Sequence, residues 1–322
     1  RQVPERLFPY VGLLKSILGL VDTDHYTYAE LFNEINIKTG GINPVANTYT
    51  DARQLQSYTA TLEVKVKVLY ENLEKAFQLA EEIVMHSRFE DAKRLHELIA
   101  ELKSRSQANM MSSGHSLASV RALSYISKTA AIADQISGLP YYRMLEELDA
   151  DFENKKDLLI KNLNELVTYV FRPENLMIDY TAQQEGLKGL EALITAFRDS
   201  LCRDSVASEP YLPGTEKKNE GFMSSSQVQY VCRAGNFSKK GLAYNGALKA
   251  LKIMLGYDYL WTQVRVKGGA YGCFCTFGKT GESYFVSYRD PNLEQTIDVY
   301  EKAADHIRHF EADERTMTQY II

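Results

Sequence analysis

Trp261-Thr262-Gln263-Val264-Arg265-Val266-Lys267-Gly268-Gly269-Ala270-Tyr271-Gly272 sets a guanidinium and a phenol on either side of a Gly-Gly turn that leads into a strand. Glycines at 268, 269 and 272 let a peptide backbone approach closely. Arg and Tyr supply fixed donors to a carbonyl or an oxyanion. Two readings stand on this chemistry: a donor pair for such a ligand, or a tight turn with Tyr271 packed and Arg265 solvated. The run is not a dinucleotide fingerprint, because a strand follows where a helix N-terminus would be needed to hold a pyrophosphate.

Downstream, Tyr271 to Phe277 and Tyr284 to Tyr288 are predicted to form a hairpin joined through Gly278-Lys279-Thr280-Gly281. A helix through Leu293, Ile297, Tyr300, Ala304 and Ile307 follows. Upstream, Val228, Tyr230 and Cys232 predict a strand, and 241–257 a helix. Residues 203–221, with Pro210, Pro213, Gly214, Lys217, Lys218 and Gly221, show almost no apolar periodicity and are expected to be a linker.

Before the linker, Leu62, Val64, Val66 and Val68 alternate with Glu63, Lys65 and Lys67, which predicts a strand with one wet face. Leu73, Ala76, Phe77, Ala80 and Val84 form one helical stripe, and Leu95, Leu98, Ile99 and Leu102 the next. Long helices are expected over 117–137 and 151–170. Pro173 ends the last of these, Leu176, Ile178, Tyr180 and Ala182 predict a strand, and Leu190, Ile194 and Phe197 a closing helix. The fold expected is α+β, a mixed, mainly antiparallel sheet packed with several long helices. Gly40-Gly41 before Leu62 and Gly268-Gly269 before Tyr284 hint at a duplicated module, with the second copy cut short. The expected division is 1–202, a linker at 203–221, and 222–322.

The chain has 322 residues, 45% of them hydrophobic, and 37 basic against 42 acidic residues for a net charge of -5. That composition excludes collagen-like and wholly disordered chains. It offers no basic excess for a nucleic-acid backbone. No stretch of about 20 apolar residues exists, so no membrane span is expected. Cys202, Cys232, Cys273 and Cys275 are too sparse for a disulfide framework, and a reducing, cytoplasmic setting or an organellar matrix is expected. A start on Arg1 and a stop inside a helical pattern at Ile322 lead us to expect a fragment.

None of His25, His86, His96, His115, His306 and His309 stands in a His-x-x-x-His pair with a Glu between, so the chain offers no zinc helix of that kind. His306 and His309 are expected on a solvated helix face. Ser113-Gly114-His115 is expected to break and cap two helices, and Cys273 and Cys275 to be buried small hydrophobes on one strand face. No Gly-x-Ser-x-Gly elbow supports a serine triad.

The ordered set Leu18-Gly19, Tyr28-x-x-Leu31, Thr39-Gly40-Gly41-Ile42, Ser113-Gly114-His115, Gly138-Leu139-Pro140-Tyr141, Tyr230-Val231, Ala234-Gly235-Asn236, Tyr259-Leu260-Trp261, Val264-Arg265-Val266-x-Gly268-Gly269-Ala270-Tyr271-Gly272 and Ser287-Tyr288-Arg289-Asp290-Pro291-Asn292 resembles the C-terminal half of a presequence-protease-type member of the pitrilysin/insulinase superfamily of zinc metallopeptidases. The resemblance implies a clamshell of four α+β modules, the third at 1–202 and a truncated fourth at 222–322, around a chamber that admits unfolded peptides. It implies zinc on an inverted His-x-x-Glu-His helix of the N-terminal half, the partner this chain needs. The helix at Leu7 to Gly19 carries none of those ligands, so the chain alone is expected to be metal-free and inactive. Arg265 and Tyr271 match the family residues that grip substrate and stabilise the oxyanion, with Gly268 and Gly269 beside the substrate backbone. One rival is a non-catalytic homologue acting as a peptide-binding or assembly subunit. Another is a helical scaffold over 73–170, against which the bracketing strands and the lack of a fixed repeat both argue.

Overall fold

Helical spacing of apolar residues builds most of the first part of the chain. In the computed structural model, which describes residues 3–51, 53–54, 57–207 and 213–321, α1 (Tyr10–Ile17) buries Val11, Leu13, Leu14 and Ile17. Pro210 of the expected linker and the termini Arg1 and Ile322 lie outside the described residues. Next, α2 (Tyr28–Lys38) opens on a capping box: the Thr27 hydroxyl accepts from the Glu30 amide while the Glu30 carboxylate accepts from the Thr27 amide. The alternating run forms β2 (Tyr58–Val66), paired with β1 (Ile42–Thr50) in a two-stranded sheet. The predicted stripes lie on α3 (Leu73–Met85) and α4 (Ala92–Ser112), which bury Ala76, Ala80 and Val84 and Leu95, Leu98 and Ile99.

The helix expected over 117–137 is two helices, α5 (Gly114–Ser124) and α6 (Lys128–Ser137). The Ser127 hydroxyl accepts from the Ala130 amide at 3.3 Å, a cap that restarts the helix. After α7 (Leu139–Ala150), α8 (Phe152–Val170) answers the expectation for 151–170, and α9 (Leu190–Ser200) that for the closing helix. The strand expected at 176–182 is absent: Leu176, Ile178, Tyr180 and Ala182 are half-buried and their neighbours exposed, but the segment joins no sheet. Alternation there reports one face laid on the protein, without a partner strand to complete a ladder.

Contacts divide the chain into two compact units: Arg1–Tyr49, Thr59–Ser106 and Gln135–Leu212, and Thr50–Tyr58, Gln107–Asp134 and Pro213–Ile322. In the first, α1 packs on α8, α7 on α8, and α2 and α9 on α3. Leu13, Leu14, Leu31, Leu79, Ile83 and Leu145 are fully buried there.

The second unit is built on an antiparallel sheet of order β3-β5-β4, from β3 (Cys232–Asn236), β4 (Gly272–Phe277) and β5 (Glu282–Tyr288). β4 and β5 are the predicted hairpin. The helix expected over 241–257 begins later, as α10 (Ala247–Met254), where the Asn245 side chain accepts from the Ala247 amide at 3.0 Å. It then continues as a π-helix over Leu255–Lys267. This stretch packs on β4 and on α11 (Glu294–Arg308), enclosing Leu255, Leu260, Val264, Ala270, Cys275 and Tyr300. Each such fully buried large apolar side chain is worth about 1.5–3 kcal/mol. α5 lies against β3 and β5, so residues 107–134 belong to this unit despite their distance in sequence. His306 is not on a solvated face: its ring stacks on Tyr259 at 4.6 Å, and its buried Nε2 has no hydrogen-bond partner. The last described helix is α12 (Glu314–Ile321).

Candidate functional site

The site forms where the π-helix runs out. Its wide turn ends with the Gly268 amide donating to the Gln263 carbonyl and the Ala270 amide to the Val264 carbonyl, both at 3.1 Å. A Cβ at residue 268 would sit 2.5 Å from the Val264 oxygen, and Gly269 takes a φ of +81°, so this turn needs both glycines. Ala270, buried, pins the exit. The Asn292 side-chain amide donates to the Gly268 carbonyl at 2.6 Å and ties the turn to the segment after β5. π-helical geometry in an otherwise α-helical run recurs at functional sites.

These constraints bring Arg265 and Tyr271 to one open cleft of about 620 Å³, lined by Trp261, Arg265, Val266, Gly269, Ala270, Tyr271 and Arg289. The Arg265 guanidinium lies 3.8 Å from the Trp261 ring and 5.8 Å from the Tyr271 ring, so stacking orients it. Tyr271 is 67% exposed and meets Tyr288 edge-on at 5.7 Å. The turn reading expected Tyr271 packed and Arg265 solvated; the phenol instead stands in solvent and the guanidinium is stacked. Neither side chain has a hydrogen-bond or ion-pair partner among the described residues. Gly269 lines the cleft, whereas Gly268 lies behind it and acts on the path of the chain.

Sequence reasoning did not single out Arg289 as a site residue, although it stands in the Tyr288-Arg289-Asp290-Pro291-Asn292 motif. It has a φ of +49°, which no other non-glycine among the described residues shares in sign. Such a conformation costs an L-residue about 1–2 kcal/mol. The Tyr271 amide donates to the Tyr288 carbonyl at 3.0 Å and also reaches the Arg289 carbonyl at 3.3 Å, a bulge-like ending to the β4-β5 pairing. The next residue, Asp290, is fully buried; its carboxylate accepts from the Asn292 amide at 2.9 Å and the Thr296 hydroxyl at 2.7 Å.

His115 sits behind this wall. Its ring lies 4.8 Å from Tyr288, 6.0 Å from Phe274 and 6.4 Å from Tyr230, and its buried Nδ1 has no partner. Ser113 and Gly114 do separate α4 from α5, but the Ser113 side chain makes no capping hydrogen bond. The Tyr288 hydroxyl instead donates to the Ser112 carbonyl at 3.2 Å. Cys273 and Cys275 point inward; burial pushes their thiols up to about 12 and about 11, so both are protonated at neutral pH.

Among the described residues no group of three His, Cys, Asp or Glu side chains could hold a metal ion, so zinc does not fit any site on them. No helix among them is long and apolar enough to cross a membrane.

Two family models match the chain: the peptidase-associated domain of the M16 peptidases, subfamily C, over residues 1–148, and the PreP C-terminal domain over residues 219–322. Protein HypA of Clostridium perfringens is 39% identical over 99% of this chain and 33% of its own length. Presequence protease 1, chloroplastic/mitochondrial, of Arabidopsis thaliana is 28% identical over 98% of the chain and 29% of its own. The chain thus spans about a third of the length of these curated relatives. In fold it is similar to a protease from Helicobacter pylori, with a TM-score of 0.59 at 13% identity over 99% of this chain and 75% of that one. The periplasmic protease PqqL of Escherichia coli gives 0.52 at 13% identity, over 99% of this chain and 34% of that one. The chain belongs to the pitrilysin/insulinase-type peptidases and corresponds to the C-terminal half of their presequence-protease branch.

Proposed function

We propose that this chain is the substrate-binding half of a zinc-dependent oligopeptidase that cleaves unfolded peptides in a closed chamber, with Arg265 and Tyr271 holding the substrate at the scissile bond. The zinc would be held by the N-terminal half of the same polypeptide. Residues 1–202 and 222–322 would supply a third and a fourth pitrilysin-like module. Cytoplasm or an organellar matrix would suit four free cysteines.

The observation that carries this reading is the pair itself: a stacked guanidinium and an exposed phenol on one cleft, both with unspent donors. A guanidinium can donate to a peptide carbonyl in the ground state and hold its charge against the oxyanion as the carbonyl becomes tetrahedral. The phenol hydroxyl can donate to that same oxygen, strengthening as negative charge develops. Both donors are set before substrate arrives: Trp261 holds the first and Tyr288 braces the ring of the second. A preset donor costs little reorganisation during the reaction.

Removing one such donor typically costs about 3 kcal/mol of transition-state stabilisation. In the full-length protein, Tyr271→Phe and Arg265→Ala are each expected to lower kcat/KM on peptides at least tenfold, with zinc content unchanged by metal analysis. Wild-type turnover in both variants would overturn the proposal.

A further inference from the structure

Resting on the reading of this cleft as a peptide site, we propose that Arg289 is a specificity-determining residue that pairs with a carboxylate of the bound peptide. The cleft walls carry two guanidiniums, Arg265 and Arg289, and no carboxylate. Elsewhere in the second unit Arg121, Arg233 and Arg308 each meet an acidic side chain. Arg289 has no ion-pair partner among the described residues; its guanidinium rests 5.4 Å from the Tyr288 ring. In a chain with 42 acidic residues and a net charge of -5, an unpaired pair of cations in one cleft is a local reversal of sign.

The backbone adds a second, independent observation. Arg289 holds a left-handed φ that a glycine would take without strain, and it is fixed there from both sides. Before it, Ser287 is fully buried; after it, Asp290 is fully buried and paired through its backbone with Gln229 at 2.8 and 2.9 Å. The shared amide of Tyr271 joins the bulge to the phenol across the cleft. Bulges of this kind re-aim a side chain beside a site. Here the re-aimed group is a planar fork of donors, whose best match is a carboxylate taken bidentately. Arg265 and Tyr271 are assigned to the scissile carbonyl, which leaves Arg289 for a carboxylate of the same peptide. That group is either the peptide's C-terminal carboxylate or an Asp or Glu side chain.

The test uses the full-length protein and peptides matched in pairs, one pair differing by a free or amidated C-terminus and another by Glu or Gln at one position. The wild type is expected to favour the carboxylate member of one pair about fivefold in kcat/KM, the size of a partly exposed ion pair. The pair that shows the preference identifies the source. Arg289→Gln and Arg289→Gly, the second of which relieves the backbone, should bring the ratio close to one, and Arg289→Lys should retain part of it. A wild type without preference in either pair, or a preference that survives both Arg289→Gln and Arg289→Gly, overturns the inference. Arg265→Ala separates the two readings. Undiminished turnover there removes the peptide site itself, whereas loss of turnover with an unchanged Arg289 ratio removes the carboxylate contact alone.

Discussion

Gly268 and Gly269 stand side by side and are needed for different reasons. At 268 a methyl group would meet the Val264 carbonyl at 2.5 Å, and the backbone has to move; at 269 space is open to 3.6 Å, and the obstacle is the φ of +81°. Gly268→Ala is therefore expected to destabilise by about 1–3 kcal/mol, as overpacking does, and Gly269→Ala by about 1 kcal/mol. Urea denaturation of the two variants checks the order, and a more stable Gly268→Ala would contradict the geometry. Arg265, Gly269 and Tyr271 were legible in the sequence because a Gly-Gly turn flanked by strong donors is an unusual local pattern. Arg289 was not. Its importance lies in a backbone angle imposed by pairing between β4 and β5, and residue type carries no trace of that angle.

At the scale of elements, Asp290 links β5 to α11. Its carboxylate accepts from the Thr296 hydroxyl and the Asn292 amide, within a fully buried setting. Asp290→Ala leaves those donors unsatisfied and should cost about 2–3 kcal/mol in denaturant titration, since hydrogen bonds to a charged acceptor are among the stronger ones. Asp290→Asn should recover part of that loss, and a neutral Asp290→Ala would show that the donors find other partners. Element type was legible wherever periodicity ran long, as in α3, α8 and the β4-β5 hairpin. Boundaries failed where one polar side chain decided them: Ser127 splits α5 from α6, and Asn245 sets the start of α10. The strand expected at 176–182 failed differently, because a period of two records burial of one face and is silent on whether a neighbour offers a ladder.

At the scale of the molecule, the linear division at 203–221 was visible as a composition change, while the membership of 107–134 in the second compact unit was not. Packing of α5 on β3 and β5 joins residues more than a hundred positions apart, and no local pattern announces it. Function was legible only through an ordered set of motifs spread over most of the chain, which family models then matched over 1–148 and 219–322. The central claim is that Arg265 and Tyr271 serve a charge that exists in the transition state and not in the bound peptide. The most direct measurement compares, in the full-length protein, the affinity of a phosphinic peptide that mimics the tetrahedral oxyanion with that of an uncleavable peptide of the same sequence. We expect Tyr271→Phe to weaken the phosphinic peptide at least tenfold and the uncleavable one by less than about threefold. Equal losses for the two ligands would contradict the account.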